Sequence, residues 1–186
     1  MHSTDGINWT AATVPEANNQ WQAVTYGNDK FVAVSTAGTN RVMYSTDGIN
    51  WTAASAAEAS NWYSVTYGNG KFVAVAHTGT NRVMYSTDGI SWTAASASEA
   101  NFWVSVTYGN GKFVAVSNDG TNRVMYSTDG ISWTAAAAAE ANYWQSVTYG
   151  DNKFVAVAYS GTNLVMYSTD GINWTAASAA EANSWR

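Results

Sequence analysis

The chain has no cysteine among its 186 residues. That absence removes disulfides, thiol catalysis and cysteine-ligated zinc together, without fixing the compartment. Charge is also scarce. Only 11% of residues are Asp, Glu, Lys or Arg, the formal net charge is −5, and four Lys and four Arg form no basic stripe. Nucleic acid and anionic membrane are therefore not expected partners. No apolar run approaches the 18 residues of a membrane span, and no charged segment precedes a short apolar one, so neither a membrane span nor a signal peptide is expected. The compartment stays open, with an extracellular or cell-surface location preferred. Histidine is limited to His2 and His77, which are neither paired nor repeated, so no metal site, general base or cofactor is expected of them.

What the chain has in excess is repetition. Tyr44-Ser45-Thr46-Asp47-Gly48-Ile49-Asn50-Trp51 recurs at Tyr85 to Trp92, Tyr126 to Trp133 and Tyr167 to Trp174, and His2 to Trp9 is a fifth copy. Asp47, Asp88, Asp129 and Asp170 fall 41 residues apart, and Asp5 precedes Asp47 by 42. A second series, Trp21, Trp62, Trp103, Trp144 and Trp185, keeps the 41-residue period throughout. The extra residue thus lies between Trp9 and Trp21, the segment that holds the only proline, Pro15. A period of this length signals a repeat architecture in which neighbouring units share a core.

One unit shows its parts. Trp62 to Tyr67 alternates and is rich in aromatic and β-branched residues, predicting a strand. Gly68-Asn69-Gly70 is a hairpin turn, because Asn-Gly tolerates positive φ. Lys71 to Ala76 is a second strand, His77 to Asn81 a loop, Arg82 to Ser86 a third strand, and Ser91 to Ala95, after the Asp88-Gly89 turn, a fourth. The alanine-rich connections, such as Ala135 to Ala141, have helix propensity but are too short to stand as helices, so an irregular loop is expected. Four short antiparallel strands per 41 residues predict an all-β chain, a β-propeller of four-stranded blades. The single domain, 1–186, divides into a half blade and connection at 1–20, repeats at 21–61, 62–102, 103–143 and 144–184, and the start of another repeat at 185–186. The half blade leaves two readings: a piece of a longer array, or chains that complete one another. Exposed blade edges invite strand pairing, so self-association is expected.

Ser45-Thr46-Asp47-Gly48-Ile49-Asn50-Trp51, set between third and fourth strands, resembles the Asp-box of bacterial-neuraminidase-type repeats, Ser-x-Asp-x-Gly-x-x-Trp, shortened by one residue. The strand order looks like that of photosystem-assembly and sortilin-like propellers. The resemblance covers every unit. It implies that Asp5, Asp47, Asp88, Asp129 and Asp170 bond the turn backbone on the face away from any active site, as Asp side chains do in turns generally. One Asp per turn is too few oxygens for calcium. Sialidases bind a carboxylate through three arginines, but Arg41, Arg82 and Arg123 occupy one position in successive repeats, as Glu16, Glu58, Glu99, Glu140 and Glu181 do. A catalytic set breaks repeat symmetry, so no enzymatic activity is expected and a diverged glycosidase ranks last.

The differences between units fall in two places. One flanks the second tryptophan: Gln20 and Gln22, Asn61 and Tyr63, Phe102 and Val104, Tyr143 and Gln145. The other is the loop after the second strand: Thr36-Ala37, His77-Thr78, Asn118-Asp119, Tyr159-Ser160. In an up-and-down blade these share one face. Trp21, Trp62, Trp103 and Trp144 belong either to the core or to a pocket on that face. The expected ligand-contacting set is therefore Trp21, Trp62, Tyr63, Phe102, Trp103, Tyr143, Trp144, His77, Asn118 and Tyr159. Aromatic platforms with amide and hydroxyl groups suit glycans or a protein surface. The expected function is a lectin-like or protein-binding module. The alternative is a structural or designed symmetric scaffold without a ligand.

Overall fold

A computed structural model describes all residues except 17, 182 and 186. Its strands form four antiparallel sheets of four, each in sequence order. Blade 1 comprises β1 (Trp21–Gly27), β2 (Lys30–Ser35), β3 (Arg41–Ser45) and β4 (Thr52–Ser55), and blade 2 β5 (Trp62–Gly68), β6 (Lys71–Ala76), β7 (Arg82–Ser86) and β8 (Thr93–Ser96). Blade 3 comprises β9 (Trp103–Gly109), β10 (Lys112–Ser117), β11 (Val124–Ser127) and β12 (Thr134–Ala136), and blade 4 β13 (Trp144–Gly150), β14 (Lys153–Ala158), β15 (Val165–Ser168) and β16 (Thr175–Ala177).

In the complete blades the predicted strands and turns are present, with one displacement, while the N-terminal half blade, among the described residues, forms no strand and only isolated bridges. The fourth strand of blade 2 was expected from Ser91 but begins at Thr93. The Ser91 N–H is held by Asp88 Oδ1 at 2.8 Å, which keeps that residue in the turn. The alanine-rich connections are irregular, as expected; Ala138 and Ala139 pack against the core between blades 3 and 4. The first hairpins close through positive-φ pairs, Asn69 at 46° with Gly70 at 72°, and Asn28 at 45° with Asp29 at 56°. The N-terminal segment pairs His2 with Thr10, and Thr13 bridges Asn50 of blade 1. Trp185 donates its N–H to the Ala158 carbonyl at 3.2 Å, while Arg186 of the expected further repeat lies outside the described residues.

Each blade has two unlike faces, and these build the cores. Val32, Val34, Val42 and Ala54 of blade 1 meet Trp62, Val65, Phe72, Ala74, Ala76 and Met84 of blade 2. The same pattern recurs between blades 2 and 3 and between blades 3 and 4. The face toward the following blade is thus a small valine surface, and the face toward the preceding blade is an aromatic one. Period-2 alternation in each strand sends the two sets opposite ways.

Glycine sets the spacing at the end of each first strand. A Cβ on Gly68 would stand 2.1 Å from Cγ of Tyr108, and one on Gly109 2.0 Å from Cγ of Tyr149. The tyrosine rings of one blade lie directly on the backbone of the preceding one. Gly109→Ala therefore forces blades 3 and 4 apart, with an expected loss of about 1–3 kcal/mol. Urea denaturation checks this; a loss below about 0.5 kcal/mol, the range of ordinary surface substitutions, would show that the close approach does not constrain packing.

Candidate functional site

The blades have two rims, and hydrogen bonds identify them. The turn rim carries the repeated aspartates. Asp47 Oδ1 accepts the N–H groups of Ile49 and Asn50 at 2.8 Å and the Ser45 hydroxyl at 2.8 Å. The Asn50 side-chain amide donates to Asp47 Oδ2 at 2.8 Å. The Asn50 backbone N–H, followed by its side-chain amide and the Ile49 N–H, holds the Asp47 carboxyl well below the usual carboxylate range. Asp5, Asp88, Asp129 and Asp170 repeat the backbone contacts. These aspartates spend their oxygens on their own turns, as the local chemistry of Asp favours. The rim is also tied across blades: the Asn28, Asn69 and Asn110 amides donate to the Thr87, Thr128 and Thr169 carbonyls at 3.2, 3.3 and 3.2 Å.

The opposite rim joins the connections between blades to the loops after the second strands. Glu58 accepts from the Asn81 side-chain amide, and Asn81 N–H reaches Glu58 Oε2 at 3.3 Å. Glu16–Asn40, Glu99–Asn122 and Glu140–Asn163 are the same latch. The Asn163 backbone N–H, then its side-chain amide, keeps Glu140 below its usual pKa. The arginines are straps to the next connection. Arg82 Nη1 donates to the Ala100 carbonyl at 2.6 Å and the Asn101 carbonyl at 2.9 Å, and Arg123 Nη1 to the Asn142 carbonyl at 2.8 Å. Arg41 reaches Asn61 Oδ1 at 3.5 Å. Where the series ends, Leu164 is buried.

The tryptophans expected at a pocket divide from the rest of the set. Trp62, Trp103 and Trp144 are each 0% exposed, so they are core residues and no ligand reaches them. Their indole N–H groups donate to the Glu58, Glu99 and Glu140 carbonyls at 3.1, 3.0 and 3.0 Å, four residues earlier in each case. Trp21 is half-buried, and among the described residues its Nε1 has no partner. The one-residue insertion puts Glu16 five positions before it rather than four, and residue 17, which takes the fourth position, lies outside the described residues.

The remaining predicted residues gather on this rim. Each first strand has a bulge immediately after its tryptophan, at Gln22, Tyr63, Val104 and Gln145. A bulge re-aims the side chain of its extra residue, and these are positions where the units differ. In blade 2 the Tyr63 ring stacks on His77 at 3.6 Å and 11°. His77 in turn stacks on Phe102, in the connection to blade 3, at 5.2 Å and 14°. Phe102 is 42% exposed and completes a three-ring platform across the blade boundary. Asp119 Oδ1 fixes its backbone N–H at 2.6 Å, and Asn118 N–H donates to its carbonyl at 3.3 Å. Burial keeps His77 below its ordinary value of 6.5, against the pull of Asp119 and with the help of Arg82. Its Nε2 is buried without a partner. Because the folded form holds the imidazole neutral, the stack contributes most above that ordinary value and less as pH falls through it. At the next junction Tyr143 and Tyr159 are exposed and joined through a Tyr159 N–H to Tyr143 carbonyl bond of 2.9 Å, with the Arg123 guanidinium 5.8 Å from the Tyr143 ring centre. Arg123 and Asp119 were not in the predicted set; the departure of 118–119 from the other repeats was the signal for Asp119, whereas Arg123 only repeats Arg41 and Arg82. Among the described residues no three His, Cys, Asp or Glu side chains converge as a metal site would require.

No family model and no curated protein matches the chain. Solved structures do. Virginiamycin B lyase from Staphylococcus aureus superposes with a TM-score of 0.80 at 15% identity, over 91% of this chain and 59% of the lyase. YCF48 from Cyanidioschyzon merolae gives 0.67 at 16%, over 93% and 60%. The computationally designed Ika4 gives 0.66 at 14%, over 87% of this chain and 98% of the design. The fold is a β-propeller. At these identities the likeness concerns the fold alone, and the propeller chain spans about three-fifths of the lyase and of YCF48.

The turn aspartates yield a graded expectation. Asp129→Ala leaves the Ile131 and Ser132 N–H groups without their acceptor, as loss of a helix cap does, and is expected to cost about 1–2 kcal/mol. Asp129→Asn retains an acceptor oxygen and should cost less. Chemical denaturation of the two variants tests the order; equal losses would mean that charge, not turn geometry, carries the effect.

Proposed function

We propose that this propeller is a non-catalytic binding module that holds its ligand on the connection rim. The observation that carries the reading is the stack of Tyr63, His77 and Phe102 across the boundary of blades 2 and 3. The exposed Phe102 ring at the end of this stack, with the Asp119 carboxylate at its backbone, suits the apolar face of a sugar together with its hydroxyls, and it also suits an aromatic or proline-bearing peptide. Tyr143, Tyr159 and Arg123 form a second, different station at the next boundary. Two stations on one rigid rim allow joint engagement of a branched or extended ligand, which raises avidity without new contacts. A solved YCF48 is bound to a D1 peptide, which supports a peptide as a ligand class for this fold. The arginines argue against the glycosidase reading, since Arg82 and Arg123 spend their guanidinium groups on backbone carbonyls.

A ligand-free symmetric scaffold is the second reading. It is favoured by the near-identity of the repeats and by the likeness to the designed Ika4.

Glycan and peptide arrays probed with the intact chain separate the two. The binding reading expects a defined ligand class whose affinity falls at least about tenfold in Phe102→Ala, consistent with loss of one aromatic contact of roughly 1.4 kcal/mol. Fold stability should be little changed, because Phe102 lies at the surface. No retained ligand on either array favours the scaffold. A ligand indifferent to Phe102→Ala, Tyr63→Ala and Tyr143→Ala removes this rim from the account.

A further inference from the structure

The two ends of the blade stack carry complementary halves of the contact that joins its blades. Three features define an internal junction. A tyrosine lies on the glycine of the preceding blade: Tyr67 on Gly27, Tyr108 on Gly68, Tyr149 on Gly109, with a Cβ on the glycine only 2.0–2.1 Å from the ring. A turn glycine lies under a valine of the preceding blade: Gly89 under Val32, Gly130 under Val73, Gly171 under Val114, each 2.8 Å from an added Cβ to the valine. A serine hydroxyl accepts the N–H of a valine in the following blade: Ser64 from Val106 and Ser105 from Val147, at 3.1 Å. At the first junction Ala23 stands in the serine position.

At the ends each feature has lost its mate. Tyr26 and Val24 on the open face of blade 1 are 56% and 60% exposed, whereas Val65, Val106 and Val147 are buried. The atoms nearest to a Cβ on Gly48 belong to Phe31 of its own blade, at 3.5–3.8 Å. On the open face of blade 4, Gly150 has nothing within 4 Å of a Cβ. Val155, whose counterparts Val32, Val73 and Val114 are fully buried, is only half-buried. Ser146 occupies the serine position. Tyr26 thus matches Gly150, Gly48 matches Val155, and Val24 N–H matches Ser146 Oγ.

We infer that the open face of blade 4 docks on the open face of blade 1 of a second copy of this chain, head to tail, by the same face packing that joins the internal blades. This surface is separate from the connection rim, and the inference does not depend on the ligand proposed there. It places association on blade faces rather than on the strand edges expected from the sequence. The contact is poorer than an internal junction, because Asp151 stands where Asn28, Asn69 and Asn110 donate to the next turn and Leu164 where Arg82 and Arg123 strap the next connection. A head-to-tail contact of this kind closes into a ring or extends, depending on its rotation.

The N-terminal hairpin is a removable cover in this arrangement. Its sequence is that of a third and fourth strand, and Met1, Ala12 and Val14 line an open cavity of about 270 Å³ against Trp21, Val24, Met43 and Trp51 of blade 1. It leaves Val24 and Tyr26 more than half exposed. Its own Met1, Ile7 and Trp9 are 82%, 81% and 59% exposed, so little apolar burial holds it there. A docked blade takes its place.

Gly150→Val separates the assembly from the fold. Gly150 lacks a positive φ and has open space around it, so the single chain tolerates the side chain, whereas Tyr26 of a docked copy does not. Val24→Lys blocks the other end at an exposed position. Light scattering over a range of concentrations should show the unmodified chain rising to whole multiples of the chain mass. Each variant alone should remain a single chain, or associate at least tenfold more weakly, with the thermal unfolding of the unmodified chain at high dilution. Their equimolar mixture should form a two-chain complex and nothing larger, since one live end remains on each. Were Gly150→Val to unfold, Val155→Lys takes its place in the same scheme. A single-chain mass for the unmodified protein at every concentration would overturn the inference. So would assembly that survives both substitutions, as strand-edge pairing would, or a mixture that fails to pair.

Discussion

The structure depends on one contact made three times: an aromatic face of one blade laid on the valine face of the blade before it. Trp62, Trp103 and Trp144, with Phe72, Phe113 and Phe154, are wholly buried in these layers. Aromatic residues of that size supply most of the burial available to so small a unit. They fit only because the opposing surface is small, made of valine and alanine and, under each tyrosine, of glycine. No blade has a core of its own. The repeat is therefore a statement about junctions, and identical junctions force near-identical residues at the positions that form them.

That constraint divides the molecule into a frozen side and a free one. On the turn rim, aspartate, serine and glycine satisfy the backbone of each hairpin, and asparagine amides bind one turn to the next. On the connection rim the Glu–Asn latch and the arginine straps hold the loops in place while leaving the bulge residue and the loop tip free to differ. The aromatic platform at blades 2 and 3 and the tyrosine pair at blades 3 and 4 are built from these free positions. A rigid scaffold with variable loops on one side is the usual arrangement of binding surfaces.

The fold was legible because its signals are local. Asn69-Gly70 and Asp88-Gly89 announce their turns, and alternation in Lys71 to Ala76 announces a buried strand. The start of the fourth strand was misplaced because the Ser91 N–H is claimed by a side chain three residues earlier, a competition that alternation does not register. The depth of Trp62, Trp103 and Trp144 was undecided, since a tryptophan beside a loop has the same neighbours in sequence whether it faces core or solvent. The stacking of His77 between Tyr63 and Phe102 joins residues up to 39 positions apart through a bulge and a blade boundary, and no local pattern encodes it. The matched ends were hidden for the opposite reason: Tyr26 and Gly150 look like every other tyrosine and glycine in the repeat, and only their lack of a neighbour sets them apart.

Stability resides in the junctions between blades. Native-state hydrogen exchange, measured on dilute protein, tests it most directly. The central strands of blades 2 and 3, β6 and β10, have a junction on both sides, and their amides should exchange slowest. Those of β2 and β14, identical in kind but packed by a full blade on one side only, should exchange faster. Equal protection in all four blades would contradict the account, and would mean that each sheet is stable by itself.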